Sequence, residues 1–413
     1  MKNEKSKLQN KDREPQAHFS SSLVFKSTIH NTAWLLTVFL KARDRVIPDV
    51  TKPRFIPGLK LARGYFHEVV EPLISLHMPR LKYAAGLFGH GSEVLGYDSR
   101  RSMDHNWGPQ VRIILPDRDF DKTARAVGAV MCDNLPYEYK GFSTNYTDER
   151  EGEYLNRVPR KIRYGPVNHL TEFHTIKGFF QKYITFDPHK KPTERDWLLF
   201  PEQSLLEVTA GEVWRDDVGF QKYRNKFEYY PRDVWKYVMA VQWEKIAWEE
   251  PFMARTGEAG DELGSHIIAI MIVQNIMRLC FYLEKTYMPY RKWFGVAFSE
   301  LECYEEINPM LKKVVSATNW QRREKYLIDS YQIIAKLHNN LRITKHLQAK
   351  PVTYHGRPYQ VIRAERFHKN LMRKIRSKFL KNLKMPMGSI DQFMNHLHLS
   401  DTKIYTEAKP MIR

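Results

Sequence analysis

Apolar residues follow a helical spacing in some stretches of the chain and form short continuous runs in others. From Gly58 to Leu76 they recur every three or four positions, which predicts a helix that Pro79 ends. The run KYAAGLFG, residues 82–89, is short, apolar and rich in small side chains, as is typical of a buried strand. A polar Gly-Ser turn follows, and the pattern predicts a second strand from about Asp104 to Leu115.

The segment TEFHTIKGFF changes its period part-way along. Glu172, His174 and Ile176 alternate as on a strand, and the residues after them continue as a helix. With a further helix expected within residues 117–135, the first half of the chain is a mixture of strands and helices.

From about residue 195 the pattern becomes helical. Three long helices are predicted, DVWKYVMAVQWEKIAWEEPFMART, DELGSHIIAIMIVQNIMRLCFYLEKTY and NWQRREKYLIDSYQIIAKLHNN. Asp261 and Glu262 suit the positive N-terminal end of the second. A fourth, basic helix is predicted over 361–384, and a solvated face is favoured over a nucleic-acid contact for its charges.

These patterns divide the chain into four parts. Residues 1–54 read as a polar tail and an extension with one amphipathic helix, 55–200 as the mixed domain, 201–395 as a helical domain and 396–413 as a C-terminal tail. At 413 residues the chain is long enough for two domains.

The charge of the chain adds an expectation about partners. Lys and Arg number 66 against 47 Asp and Glu, a net charge of +19, which favours polyanionic partners such as nucleotides, nucleic acid or an anionic membrane surface. A soluble protein with a basic surface and no such partner explains the same numbers.

The cysteines and the apolar runs indicate the cellular compartment of the protein. Cys132, Cys280 and Cys303 are odd in number and widely spaced, which fits a reducing compartment and neither a disulfide framework nor a structural zinc. The charged start MKNEKSKLQNKDRE is unlike a secretory signal, and Ile267–Val273 is too short to cross a bilayer. A cytoplasmic protein that contacts no membrane is predicted.

The candidate chemistry lies between residues 86 and 115. Gly91 lets the backbone approach a phosphate closely, and Ser92 offers its N–H and its hydroxyl. If Asp104 and Asn106 lie on a strand, their side chains share one face. Two oxygen ligands opposite a phosphate-binding turn suit a hard cation such as Mg²⁺.

This arrangement resembles the nucleotidyltransferase superfamily signature, a Gly-Ser turn followed by acidic-x-acidic on the neighbouring strand. GSEVLGYDSRRSMDHNWGP resembles the core motif of an uncharacterised bacterial family within it. Later segments are similar to that family too, among them DWLLFPEQSLLEVTAGEVWRDDVG, GDELGSHIIA, MPYRKWFGVAF and GRPYQVIRAERF. The resemblance covers about residues 55–395 and implies an α+β fold, in which a nucleotidyltransferase-like mixed sheet with flanking helices precedes a mostly helical domain.

One departure from the family pattern bears on activity. The family usually reads Asp-His-Asp-Trp, whereas this chain has Asn106 in place of the second aspartate. Asn106 keeps an oxygen but loses the charge, which weakens binding of a divalent metal. Asp98 lies six residues before Asp104 as a possible substitute, and His90 stands where the family has a small residue.

The resemblance also implies roles for later residues. The superfamily uses a third carboxylate, for which Glu172 is the candidate, with an ordinary surface glutamate as the alternative. Arg224 matches a family arginine that would contact phosphate, with a surface salt bridge as the alternative. Asp104, Asn106 and Glu172 would then hold Mg²⁺ or Mn²⁺, and Glu172 or Asp98 would accept the proton of the attacking hydroxyl.

Two functions remain open. The first is metal-dependent transfer of a nucleoside monophosphate from a nucleoside triphosphate to a hydroxyl of an unknown acceptor, which could be a small molecule, a protein or RNA. The second is a catalytically weakened nucleotide- or RNA-binding protein of the same fold, motivated by Asn106 and the net charge of +19. A partner-regulated module is neither supported nor excluded.

Overall fold

A computed structural model describes residues 53–148, 156–383 and 387–394 of the chain. The predicted extension up to residue 52 and the C-terminal tail 396–413 lie outside the described residues.

The first described elements are helices. The helix predicted between Gly58 and Leu76 is confirmed as α1 (Gly58–Tyr65), a π-helical turn (Phe66–Val70) and α2 (Glu71–His77). The helix expected within 117–135 is α3 (Phe120–Asn134). These helices flank a small sheet on one side.

The main sheet has four strands in the order β5-β2-β1-β6. Its strands are β1 (Ala84–Leu87), β2 (Arg112–Ile114), β5 (Glu172–His174) and β6 (Glu212–Asp216). β1 runs antiparallel to β2 and β6, and β2 runs parallel to β5. A separate hairpin is formed by β3 (Glu138–Tyr139) and β4 (Phe142–Ser143).

The two faces of this sheet bury different cores. Ala85 and Ile113 pack with the residues of α1 to α3, whereas Ala84 and Ile114 pack with the helices that follow. The alternation of neighbouring strand residues between faces produces this division. β1 is buried along its whole length, as its apolar sequence predicts.

The second strand is shorter than predicted. The expected strand from Asp104 to Leu115 is wrong in its first part, because β2 begins only at Arg112. Asn106 has a φ of 48°, Gly108 a φ of 139°, and Pro109 supplies no N–H for a ladder, so the backbone before Gln110 does not stay extended.

The remaining described residues are mainly helical. The helices are α4 (Ile176–Ile184), α5 (Glu194–Leu199), α6 (Glu202–Thr209), α7 (Phe220–Arg224), α8 (Arg232–Glu258), α9 (Glu262–Leu283), α10 (Arg291–Phe298), α11 (Tyr304–Ser316), α12 (Trp320–Asn340), α13 (Glu365–Lys374), α14 (Lys378–Asn382) and α15 (Ile390–Phe393). A short hairpin, β7 (Val352–Thr353) with β8 (Gln360–Val361), precedes α13. The fold is therefore α+β, a small mixed sheet with flanking helices and a helical C-terminal region.

One strand of the sheet comes from the part of the chain that was predicted to be helical. β6 lies beyond residue 200, within the part predicted to be helical, and pairs with β1 at the centre of the sheet. A boundary at residue 200 therefore does not separate sheet from helices.

The three predicted long helices are present as α8, α9 and α12. α8 and α9 pack against each other, and α9 also packs against α11 and α12. Asp261 caps α9, since its carboxylate accepts the N–H of Gly264 over 2.7 Å. By length and composition α9 could cross a membrane, but half of its most apolar window is buried inside the protein.

The predicted basic helix over 361–384 is divided in two. The backbone N–H groups of Arg376 and Ser377 donate to a carboxylate oxygen of Asp233 over 2.6 and 2.9 Å. The hydroxyl of Ser377 then accepts the N–H of Leu380 and begins α14. These contacts break the helix after Lys374.

Candidate functional site

The turn after β1 presents backbone donors beside the sheet. Gly91 has a φ of 134°, and an added Cβ would lie 2.4 Å from a carboxylate oxygen of Glu93, so the position requires glycine. The Ser92 carbonyl accepts the N–H of Tyr97 over 2.8 Å and closes the turn. Within the described part of the chain, no acceptor is found for the N–H groups of Gly91 and Ser92 or for the Ser92 hydroxyl.

A buried arginine supports this turn from below. Arg112, only 2% exposed, donates to the carbonyl oxygen of Phe88 and, over 3.0 Å, to that of His90. These bonds fix the backbone immediately before Gly91. Arg112 also pairs with Glu172 across the parallel strands β2 and β5, with 3.3 Å between Nε and Oε1.

Glu172, the predicted third carboxylate, has two further basic neighbours. Its Oε2 lies 3.1 Å from Nε2 of His174 and 2.8 Å from Nζ of Lys182. Burial opposes the charged form of Glu172, but Arg112, followed by His174 and Lys182, outweighs it and holds the pKa of the carboxyl well below its usual range. Glu172 is therefore ionised and already compensated by protein groups.

His90 contributes no positive charge to the turn at neutral pH. Its Nδ1 lies 3.0 Å from the hydroxyl oxygen of Tyr183 on α4. His90 is exposed to solvent, and desolvation by its protein neighbours, followed by the charge of Arg112, lowers its pKa to about 4. The large side chain that departs from the family pattern is thus a solvent-exposed, neutral imidazole that contacts Tyr183.

Asp104 lies on the surface at the end of a short 3₁₀ helix, Arg100–Asp104. Its carboxylate is 62% exposed, and its Oδ1 lies 2.9 Å from Nδ1 of His105. The side chain is accessible to solvent and to a bound ion.

Asn106 has a different environment. Its N–H donates to the carbonyl oxygen of Arg157, and its Oδ1 accepts the N–H of Arg157, both over 2.8 Å. The expectation that Asp104 and Asn106 lie side by side on a strand is wrong, because Asp104 ends a helical turn and Asn106 adopts a left-handed conformation. The Asn106 side chain instead holds the segment that begins at residue 156.

The predicted metal ligands do not fit a Mg²⁺ site as they are arranged. Glu172 is paired with the cations of Arg112 and Lys182 and contacts His174, and the amide oxygen of Asn106 accepts a backbone N–H. In the ranges that the structure describes, no group of three or more His, Cys, Asp or Glu is positioned to hold a metal ion. A hard cation needs several free oxygen ligands around one point.

Arg224 does not lie at the turn with its guanidinium free. The side chain is 3% exposed and donates to the carbonyl oxygens of Val208 and Thr209 over 2.9 Å each, and also to that of Ala210. These carbonyls end α6, so Arg224 closes the C-terminus of that helix. It is a buried helix cap, and neither a surface salt bridge nor an exposed phosphate ligand.

Asp98 is also engaged. One of its carboxylate oxygens accepts the N–H of Gly58 over 2.7 Å and the indole N–H of Trp107 over 2.8 Å. Asp98 therefore joins the start of α1 to the loop before β2. This use leaves it poorly suited to replace a metal-binding carboxylate or to accept a proton.

A cavity of about 310 Å³ lies beside the Gly-Ser turn. Leu95 and Tyr97, which follow Ser92, line one side, and Glu284, Tyr287 and Glu300 line another. The hydroxyl of Tyr97 donates to Glu300 over 3.0 Å across it. The cavity is concave, partly apolar and large enough for part of a small molecule.

Comparison with known proteins gives one family match. A domain of unknown function, DUF4037, matches residues 197–294. This stretch contains several segments on which the resemblance to an uncharacterised family rests. No curated protein matches the chain. A crystal structure described as a nucleotidyltransferase-like protein from Exiguobacterium sibiricum 255-15 is similar at 10% identity, with a TM-score of 0.29, over 72% of this chain and 82% of that one.

Several residues of the site were not predicted from the sequence. Arg112 is a single charge inside the apolar run VRIIL, and a charged residue within a buried strand is a signal that could have identified it. His174 was noted only for its alternation with Glu172. Lys182 and Tyr183 lie on α4, and nothing in their spacing indicated that they face this turn.

Proposed function

We propose that the chain is a catalytically weakened nucleotide-binding protein with a nucleotidyltransferase-like domain. Its ligand would be a nucleoside triphosphate, and the phosphates would bind at the turn formed by Gly91 and Ser92. Turnover by metal-dependent transfer would be weak or absent.

The turn supports the binding part of this proposal. Its N–H groups and the Ser92 hydroxyl are donors, and phosphate oxygens are strong acceptors. Lys182, whose side chain is 42% exposed, supplies positive charge close to β5. The similarity of GSEVLGYDSRRSMDHNWGP to a nucleotidyltransferase motif points to the same ligand class.

The pairing of Arg112 with Glu172 is the main observation in support of weakened catalysis. A carboxylate that shares its charge with Arg112, His174 and Lys182 would have to leave these partners before it could bind a divalent cation. Asn106 adds to this effect, because it lacks the charge of an aspartate and its oxygen already accepts a backbone N–H.

Nucleotidyl transfer is the second candidate function. The exposed carboxylate of Asp104 and the cavity beside Tyr97 favour it, since one could meet a metal ion and the other an acceptor. Bound Mg²⁺ or Mn²⁺ would neutralise charge on the phosphates, and the exposed carboxylate of Asp104 is the candidate to hold it. The acceptor would be a hydroxyl of a small molecule, a protein or RNA.

The test measures nucleotide binding and pyrophosphate release by the full chain with each of the four nucleoside triphosphates, with Mg²⁺ or Mn²⁺. Asp104→Ala and Asn106→Asp are compared with the wild type. Asp133→Ala is the matched control, because Asp133 is an exposed aspartate on α3.

The proposal expects binding in all variants and no pyrophosphate release above background in the wild type. Release by Asn106→Asp alone would support it further, because it would show that the missing negative charge limits turnover. Release by the wild type that Asp104→Ala abolishes and Asp133→Ala preserves would overturn it in favour of the transferase.

A further inference from the structure

The positive charge of the chain is concentrated near its C-terminal end. Residues 341–383 contain twelve Lys or Arg and a single acid, Glu365. The whole chain has a net charge of +19, so about a tenth of the residues supplies more than half of it. Such a concentration creates a local positive potential that attracts polyanions.

Helix α13 presents part of this charge on one face. Phe367 and Leu371 are fully buried, and the ring of Phe367 stacks on Trp243 with 4.1 Å between centroids. Arg366, Lys369 and Arg373 are spaced three and four residues apart on the opposite face. The apolar face anchors the helix and fixes the direction of the basic one.

The loop before the β7–β8 hairpin extends this surface. Nη2 of Arg366 donates to the carbonyl oxygen of Gln348 over 2.7 Å, which holds the loop beside α13. Lys345 and Lys350 are exposed on the same loop, and Lys378 and Lys381 are exposed on α14.

These cations have no carboxylate partners. Some exposed lysines elsewhere are paired, as Lys336 is with Glu306 and Lys140 with Glu68, both at 2.8 Å. For the Lys and Arg residues between 341 and 383, the structure, which describes that whole range, contains no ion pair with a carboxylate. Their charge is therefore available to a ligand.

The surface is poor in exposed apolar groups. Among the exposed large hydrophobic side chains of the described chain, Val352, at 38% exposure, is the one that lies between 341 and 383. A membrane-binding helix needs such side chains to enter the lipid, and single-stranded nucleic acid is bound by exposed aromatics on which its bases stack. A surface that offers cations without exposed aromatic or apolar side chains suits the phosphates of a duplex.

We propose that the surface formed by residues 341–350 and 363–381 binds the phosphate backbone of double-stranded RNA. One face of α13 is packed on α8, so its basic face is presented to solvent as a row of cations that can follow a line of phosphates. Duplex RNA is bound from outside its narrow major groove, through phosphates and shape rather than base sequence. This surface is separate from the Gly-Ser turn, so either function can fail alone.

The experiment measures binding of a fluorescent RNA duplex of about 20 base pairs by the full chain at several salt concentrations. The test variant carries Lys369→Gln, Arg373→Gln and Lys378→Gln. The control carries Lys60→Gln, Lys122→Gln and Arg125→Gln, which remove the same charge from exposed positions on α1 and α3.

The wild type and the control are expected to bind RNA with a steep salt dependence. The test variant should bind at least about tenfold more weakly, and the slope of log affinity against log salt should fall by about 2 to 3. Thermal melting of both variants confirms that they are folded.

Three results would overturn the proposal. One is no binding of the RNA duplex by the wild type at low salt. Another is equal weakening in the test and control variants, which would indicate net charge alone. The third is tighter binding of a DNA duplex of equal length, or of anionic lipid vesicles, than of the RNA.

Discussion

Arg112 and Glu172 lie opposite each other on neighbouring parallel strands, and the Nε of Arg112 donates to Oε1 of Glu172 over 3.3 Å. Arg112 also holds the carbonyls of Phe88 and His90, which precede the Gly-Ser turn. The residue expected to bind metal is thus part of the support of the turn. This relationship makes Glu172 a structural counter-ion of Arg112. Its replacement should therefore affect stability in a different way from the replacement of a metal ligand.

Glu172→Gln should lower the free energy of unfolding by about 1 to 3 kcal/mol, because Arg112 would remain buried without a full counter-charge. If Glu172 were instead a metal ligand among other carboxylates, it would be repelled by them when no metal is bound. Glu172→Gln would then leave the free energy of unfolding unchanged or raise it. Urea denaturation of wild type and Glu172→Gln without divalent metal distinguishes the counter-ion role from the metal-ligand role. Glu138→Gln, at an exposed position paired with Lys161 over 3.6 Å, is the control and should change stability by less than about 0.5 kcal/mol.

The stabilisation by Glu172 should also depend on pH. The folded pKa of the carboxyl is depressed, so its contribution is fully present above the unfolded pKa of about 4.3 and is lost as pH falls through the folded value. The difference in stability between wild type and Glu172→Gln should stay constant from about pH 5 to 8 and shrink only below about pH 4. A difference that shrinks already near neutral pH would contradict this assignment.

His338 should make the helical region sensitive to acid. Its Nδ1 accepts the indole N–H of Trp243 over 3.2 Å, so the imidazole is neutral, and burial lowers its pKa to about 4. The unfolded state takes up the proton first, so stability falls as pH decreases from about 6.5 to 4, by about 1.4 kcal/mol per pH unit at most. His338→Gln, followed by denaturation at several pH values, should remove this share of the slope. An unchanged slope would show that His338 is not buried in its neutral form.

Arg224→Lys should destabilise the protein without changing nucleotide affinity. A lysine cannot reach several carbonyls at the end of α6 as the guanidinium does, and we expect a loss of about 1 to 3 kcal/mol. Binding is measured at a temperature where the variant is fully folded. Weaker nucleotide binding at unchanged stability would instead support the family-based role of Arg224 as a phosphate contact.

The sequence predicted elements well wherever apolar periodicity was strong. The run KYAAGLFG, the strand-to-helix change after His174 and the long helices all appear where expected. It overextended the strand at Asp104, because Gly108 and Pro109 interrupt the ladder without disturbing the apolar pattern. β6 was missed because its residues, EVWRD, are mixed in polarity.

The site was harder to predict than the fold. Gly91 lies at a position that requires glycine because of its positive φ and the closeness of Glu93, whereas its role beside a phosphate stays a prediction. Arg112 lies 60 residues from Glu172, and Arg157 lies 51 residues from Asn106, and spacing along a sequence carries no information on such contacts. A single charge within an apolar strand, as at Arg112, was the one local signal available.

The most direct test of the account is calorimetric titration of the full chain with each of the four nucleoside triphosphates, with and without Mg²⁺, for wild type, Gly91→Ala and Gly165→Ala. Gly165 has a φ of 92° with open space around it, so its variant carries a similar backbone strain without the clash at Glu93. We predict that wild type and Gly165→Ala bind at least one triphosphate equally, and that Gly91→Ala, still melting cooperatively, binds it at least about tenfold more weakly. No binding of any triphosphate by the wild type, or equal affinity in all three proteins, would contradict the account.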